Sequence, residues 1–224
     1  MNTAKIIAIT QPLIDNESGV KMTPNEFIAY CARVSNPSNQ MNSLTASKLL
    51  NYCIKNKHWS VFEMINVTMS IDTTRDIARQ ILRHRSFSFQ EFSQRYADPT
   101  QSLGFTSREA RLQDAKNRQN SVEVDDRELQ EEWEGHLMEV RDAASYAYDW
   151  AIANGIAKEQ ARAVLPEGLT MSRMYMNGTL RSWIHYCDLR CSNGTQKEHR
   201  EVALSARSEL VSYFPFLQDT LEAQ

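Results

Sequence analysis

Helix-start signals recur along this chain with β-branched runs between them, and that alternation confines it to a mixed α and β architecture. Thr23-Pro24-Asn25-Glu26 places a hydroxyl cap, a proline at the first helical position and a glutamate three residues on. In that pattern cap and glutamate satisfy each other's free backbone N–H groups. Thr73-Thr74-Arg75-Asp76, Asp125 with Glu128, Thr179, and Thr195-Gln196-Lys197-Glu198 repeat the theme, and Ser43 opens a further helix bearing Leu49, Leu50, Cys53 and Ile54. Between them, residues 5–10, 61–71 and 169–176 read as strands, the second with a slip of period near Ile65-Asn66. Asp125 starts the longest helix, whose inner stripe runs through Leu129, Trp133, Leu137, Val140, Ala144, Ala147, Tyr148 and Ala151 before Gly155 ends it. A short helix over residues 160–165 stops at Pro166. Residues 100–124 lack an apolar stripe and read as a mobile loop or weak helix. The expectation is one α+β (mixed α/β) domain over residues 1–224, a modest sheet flanked by several helices, one of them long.

Composition removes other classes. Only 7 of 224 residues are glycine, and no two of them stand in GxG spacing, so a dinucleotide-binding fingerprint is absent. The longest apolar run near the start, residues 6–9, is far shorter than the ~20 residues of a membrane span, so a cytoplasmic chain without membrane association is expected. A net charge of −3 argues against coating nucleic acid through bulk charge. Cys31, Cys53, Cys187 and Cys191 show no CxxC spacing and no zinc-type partners, so structural burial and no metal are expected.

The chemistry concentrates in one region. Arg75, Arg79, Arg83, Arg85 and Arg95 fall within 21 positions. A helix from Thr74 puts Ile77, Ala78, Ile81 and Leu82 on one face and Arg75, Arg79, Arg83 and Gln80 on the other, delivering Arg83-His84-Arg85 at its end. The polar-aromatic segment through Tyr96 follows. Planar guanidinium forks suit phosphate and carboxylate. The same segment, with Phe87, Phe89 and Phe92 interleaved, also describes a stacking platform for single-stranded nucleic acid, while core burial of the phenylalanines is the plainer alternative. A metal-assisted hydrolase would rest on His58 and Glu63 alone and lacks HExxH spacing. His136 and His199 are assigned to structure.

Arg83-His84-Arg85, seven residues, then Ser93 resembles the RHRx7S signature of the flavin-dependent thymidylate synthases, and Glu91, Arg95 and Tyr96 extend the match. Further segments resemble that family in the same order: His58-Trp59-Ser60-Val61-Phe62-Glu63, Gln160-Ala161-Arg162 through Pro166, and Thr179-Leu180-Arg181-Ser182 through His185 to Arg190. The likeness spans roughly residues 58–205. It departs at Val61, where the family usually has proline, at Gln90, where it usually has asparagine, and by one extra residue between Pro166 and Thr179.

The resemblance implies a homotetramer with shared active sites that binds FAD and methylates dUMP to dTMP, with methylenetetrahydrofolate as carbon donor and NADPH as reductant. It implies dUMP contacts at Gln80, Ile81, Leu82, Arg83, Glu91, Phe92, Ser93, Gln94, Arg95, Arg162 and Arg190, with Ser93, Arg95 and Arg162 nearest the phosphate. FAD contacts are implied at Ser60, Arg83, His84, Arg85, Glu91, Thr179, Leu180, Arg181 and His185, and His58 at the flavin or folate face. Arg190 is the implied catalytic residue, favouring the ionised uracil ring and activating C5, with no cysteine nucleophile. Two readings stand for His58, packing beside Trp59 or contact with a ligand, and two for His185, a satisfied core histidine or a flavin contact. Arg181 and Arg190, nine apart, point about 180° from each other on an ideal helix, as flavin on one side and dUMP on the other would require.

Overall fold

The computed structural model describes residues 2–222. Its strands are β1 (Thr3–Ile9), β2 (Asn66–Thr74), β3 (Ser88–Glu91), β4 (Arg111–Gln113), β5 (Ser121–Glu123) and β6 (Met171–Thr179). Its helices are α1 (Pro24–Ala32), α2 (Ala46–Lys55), α3 (Arg75–Ile81), α4 (Pro99–Ser102), α5 (Arg127–Ala153), α6 (Lys158–Ala161), α7 (Leu180–Arg190), α8 (Lys197–Tyr213) and α9 (Gln218–Glu222). Four strands form an antiparallel sheet in the order β1-β2-β6-β3, and β4 and β5 form a separate hairpin.

Strand alternation builds the main core. Val67, Met69, Ile71 and Thr73 of β2 and Ser172, Met174 and Met176 of β6 turn to one face and are almost fully buried. On the other face Arg173 makes a two-pronged pair with Asp72 across the strands. Helix α8 covers the outer edge at β1. Ser205 Oγ accepts from Ala4 N at 3.0 Å and Glu209 Oε2 from Ile6 N at 2.9 Å, occupying N–H groups an open edge would expose. Trp183 of α7 is fully buried and donates its indole N–H to Val67 O at 3.0 Å.

Several expectations shift in detail. Residues 59–64 form a 3-10 helix instead of the start of the second strand. Trp59, Phe62 and Ile65 recur every three residues and point inward, the 3-10 period, and the strand begins only at Asn66. Residues 100–124 hold α4 and the β4–β5 hairpin, whose turn is tied by Asp114 accepting from the backbone N–H groups of Lys116 and Asn117. Helix α3 ends at Ile81, and Leu82 caps it facing outward instead of joining the buried face. The last capping pattern is displaced by one residue: Gln196 takes the cap position of α8 and Thr195 is buried before it. In α5 only Ala144, Tyr148 and Ala151 of the expected stripe are buried; Trp133 and Val140 stay exposed.

Candidate active site

Sheet and helices converge where the segment after α3 meets α7. Thr179 caps α7 by accepting from Ser182 N at 3.2 Å, so β6 runs directly into this helix and fixes where its side chains emerge. Tyr186 and Arg190 lie four apart on α7 and share a face. Arg190 Nε donates to His84 Nε2 at 3.0 Å, joining residues 106 positions apart in the chain. Arginine can only donate, so His84 Nε2 carries the lone pair and the proton sits on Nδ1. Burial and the adjacent Arg190 charge push the His84 pKa down to about 4, which keeps the ring neutral near pH 7. The His84 ring meets Tyr186 edge-on, centroids 5.1 Å apart.

The neighbouring arginines divide into two kinds. Arg75 pairs with Glu91 at 3.1 Å, and Glu91 also accepts from Ser172 Oγ at 2.9 Å. Arg79 pairs with Glu167 at 2.5 Å. Arg83 and Arg85 lie exposed beyond the helix and have no ion pair among the described residues. Phe87 then turns inward against Trp183, centroids 4.9 Å apart, and packs close over Gly178, while Phe89 also packs on the core. Phe87 and Phe89 thus spend part of their surface on packing, the plainer of the two expectations, and Phe92 is half-buried too.

A second group of implied residues gathers near the other end of α3. Arg95 Nε lies 3.6 Å from Glu159 Oε2, and Arg162 Nε donates to Glu159 O at 3.4 Å, so one segment holds both arginines. The Ser93 carbonyl accepts from Tyr96 and Ala97 N, forming the turn that presents Arg95; Phe92 N bonds to Arg173 O, and Gln94 is buried. This group lies by Glu91, whose partner Arg75 opens α3, whereas Gln80 and His84 lie at or beyond its C-terminal end. A seven-residue helix separates the two by about 10 Å along its axis.

A third group lies on the opposite side of α7. Arg181 pairs with Glu63 at 2.5 Å, His185 meets the Trp59 ring with centroids 4.6 Å apart, and Ser182 Oγ donates to Ser86 O at 3.4 Å. Burial, then the Arg181 charge, lowers the His185 pKa. Ser60 is exposed, and so is His58, which packs edge-on against Tyr52. Leu180 is fully buried at the start of the helix, and Ile81 likewise in α3, so either could meet a ligand only through its backbone.

The sequence assigned His199 to structure, and the fold gives it a structural place that adjoins Gln80 and Tyr186. It is fully buried, with Nε2 3.1 Å from Tyr186 Oη and Nδ1 3.3 Å from Gln80 Oε1. The available signal was the position of Tyr186 one helical turn before Arg190.

The profile of the family described as thymidylate synthase complementing protein matches residues 20–216. A flavin-dependent thymidylate synthase of Synechocystis sp. is 48% identical over 220 residues, covering 97% of this chain and 98% of its own. A protein of Paramecium bursaria Chlorella virus 1 named "Probable flavin-dependent thymidylate synthase" is 46% identical over 220 residues, covering 98% of this chain and 99% of its own. Among solved structures, the UMP/dUMP methylase PolB of Streptomyces cacaoi superposes with a TM-score of 0.79 at 22% identity, covering 100% of this chain and 94% of its own, which establishes the common fold. With Arg190 set against the His84 of its motif and the family profile matched over residues 20–216, this chain belongs to the thymidylate synthase complementing protein family.

Proposed function

We propose that this chain is a flavin-dependent thymidylate synthase that converts dUMP to dTMP, taking the carbon from methylenetetrahydrofolate and reducing equivalents from NADPH through FAD. The observation that carries the proposal is the Arg190–His84 contact, which fixes the guanidinium at the C-terminal end of α7 against the middle of the Arg83-His84-Arg85 motif. The donor set fits a nucleotide cofactor. Arg83 and Arg85 leave two exposed guanidinium forks unpaired among the described residues, while their neighbours Arg75 and Arg79 are neutralised. Arg83, His84 and Arg85, with Ser60, Glu91, Thr179, Leu180, Arg181 and His185, would hold FAD. When bound, FAD supplies hydride chemistry that no side chain can.

The protein's part is electrostatic. Arg190 directs its Nε–H to neutral His84, so its terminal NH2 groups remain free to face the pyrimidine. A fixed positive charge there stabilises the anionic ring and raises electron density at C5. Gln80 to Arg83 and Glu91 to Arg95 would line the nucleotide, with Ser93, Arg95 and Arg162 toward the phosphate, the arginines exchanging Glu159 for it. His58 would stand at the flavin or folate face. No cysteine is needed as nucleophile: burial pushes the Cys31 and Cys53 thiols up. Cys187 is raised by its hydrogen bond with Cys191 and by burial, and Cys191 is lowered by the same bond. None pairs with an imidazole among the described residues.

The groups at the two ends of α3 would take the base and the phosphate of one nucleotide. A homotetramer with shared sites would cover apolar surface that the fold leaves open. Helix α5 exposes Trp133, Val140, Tyr146 and Trp150, and a 580 Å³ apolar groove between Tyr146, Trp150, Ile156 and Val164 adjoins Arg162. No helix among the described residues is long and apolar enough to cross a membrane. We place the enzyme in the cytoplasm, with small molecules as its partners and no nucleic acid.

The test is Arg190→Ala. It should retain its flavin and its melting temperature yet form dTMP at least about a hundredfold more slowly. Full activity would remove Arg190 from the mechanism.

A further inference from the structure

Six side chains from four separate parts of the fold form one unbranched line of hydrogen bonds that runs through Gln80, from Tyr186 at one end to Arg111 at the other. Tyr186 Oη lies 3.1 Å from His199 Nε2, and His199 Nδ1 lies 3.3 Å from Gln80 Oε1. Gln80 Nε2 donates to Gln196 Oε1 at 2.8 Å, and Gln196 Nε2 donates to Glu198 Oε2 at 2.9 Å. Glu198 Oε1 accepts in turn from Arg111 Nη2 of the β4–β5 hairpin. His199 is fully buried, and Tyr186 and Glu198 are nearly so.

The ion pair sets the direction of the whole line. A carboxylate held by Arg111 can only accept, so Gln196 must turn its NH2 toward Glu198 and its carbonyl toward Gln80. Gln80 must then turn its NH2 toward Gln196 and its carbonyl toward His199. An amide carbonyl only accepts, so His199 carries its proton on Nδ1 and takes one from Tyr186 on Nε2. Burial, followed by the Arg190 and His84 charges, holds the His199 pKa down to about 3, and burial raises that of Tyr186, so both groups are neutral and each shared position holds one proton. Reversing the amide at Gln80 would leave two facing acceptors or two facing donors in a buried place, a state disfavoured by a full desolvation penalty.

We propose that this line fixes which end of the Gln80 amide is offered to the pyrimidine, making Tyr186, His199, Gln196 and Glu198 positioning residues for discrimination between uracil and cytosine nucleotides. This rests on Gln80 as a dUMP contact in the function proposed above. Gln80 is half-buried, and after its two bonds within the line it retains one N–H and one carbonyl lone pair for a ligand. Uracil and cytosine interchange donor and acceptor at position 4 and at N3, so an amide locked in one orientation accepts one base and rejects the other. An amide free to turn accommodates both.

The experiment measures dUMP and dCMP dissociation constants by titration calorimetry on FAD-loaded protein, for the unsubstituted chain, Glu198→Gln and Glu198→Asp. Aspartate keeps a carboxylate that can only accept, whereas the glutamine amide can take Arg111 on its carbonyl and donate to Gln196, which lets the whole line reverse. The unsubstituted protein should prefer dUMP by at least about tenfold. E198Q should narrow that preference to within about threefold, and E198D should retain most of it. A folded, flavin-loaded E198Q with an unchanged preference would overturn the proposal, as would equal loss in E198Q and E198D. Should E198Q fail to fold, Gln196→Leu makes the same test, because it cuts Gln80 from the group that sets the direction; a narrowed preference supports the proposal and an unchanged one overturns it. An unsubstituted protein that binds neither nucleotide would refute the assigned dUMP site itself, an outcome distinct from discrimination that survives the substitutions.

Discussion

Gly178 in β6 lies beneath the Phe87 ring, and replacing it with alanine tests how tightly the Arg83-His84-Arg85 segment is held. A Cβ there would stand 2.4 Å from Phe87 Cδ1 and 2.7 Å from Cε1. Carbon atoms rest near ~3.5 Å, so the ring must retreat by about 1 Å. It has little freedom to do so, with Trp183 edge-on at 4.9 Å and Tyr186 at 6.1 Å between centroids. Overpacking of this kind costs about 1–3 kcal/mol, which for a chain of this size lowers the melting temperature by roughly 4–8 °C at the middle of that range. Because Phe87 lies two residues after Arg85 and touches His84, the shift should also weaken flavin retention. Thermal unfolding and flavin content would be measured for Gly178→Ala, Phe87→Leu and the double variant. Removing the ring should reduce the cost of the alanine to under about 0.5 kcal/mol. An equal cost in both backgrounds, or none in either, would refute the steric argument.

Acid should destabilise the fold through His199. Its folded pKa of about 3 lies below the ordinary 6.5, so the neutral ring's stabilising contribution is complete above pH 6.5 and is lost as pH falls toward 3, at roughly 1.4 kcal/mol per unit. Chemical denaturation between pH 5 and 7 should show this slope diminished in H199N. Asp76 is opposed by burial, yet hydrogen bonds from Arg108 and Thr74 keep its pKa low, so Arg108→Ala should cost about 1–3 kcal/mol in the same denaturation assay. Trp150→Glu puts a charge in the exposed apolar groove of α5 and should shift light-scattering mass below that of the unsubstituted assembly; an unchanged mass would remove this face from the interface.

Local rules were legible wherever one residue type had one physical use. Thr23 and Glu26 form their reciprocal cap, and Thr179 caps α7 as its pattern required. Residues 61–64 were misread because the alternation of Val67, Met69 and Ile71 was carried back to Val61, whereas burial there follows Trp59, Phe62 and Ile65 at a spacing of three. The β4–β5 hairpin was hidden because Leu112 and Val122 are both exposed, leaving no two-residue apolar period. The stripe of α5 signalled a buried face, but its N-terminal half stays partly open among the described residues, with Trp133 and Val140 exposed, consistent with an interface that one sequence does not identify as such. For the site, Arg83-His84-Arg85 and Arg190 were legible through their motif, while the line from Tyr186 to Glu198 was not. Its members come from α3, α7 and the start of α8, and only the tertiary fold gives them a common direction.

The central claim is most directly tested by the visible absorption spectrum of the purified protein. The spectrum would be followed anaerobically after NADPH and again after dUMP and methylenetetrahydrofolate, with dTMP measured in the same cuvette. The account predicts an oxidised-flavin band that bleaches with NADPH, returns when both substrates are present, and returns in proportion to dTMP formed. A protein that takes up no FAD, or whose flavin cycles without producing dTMP, would contradict it.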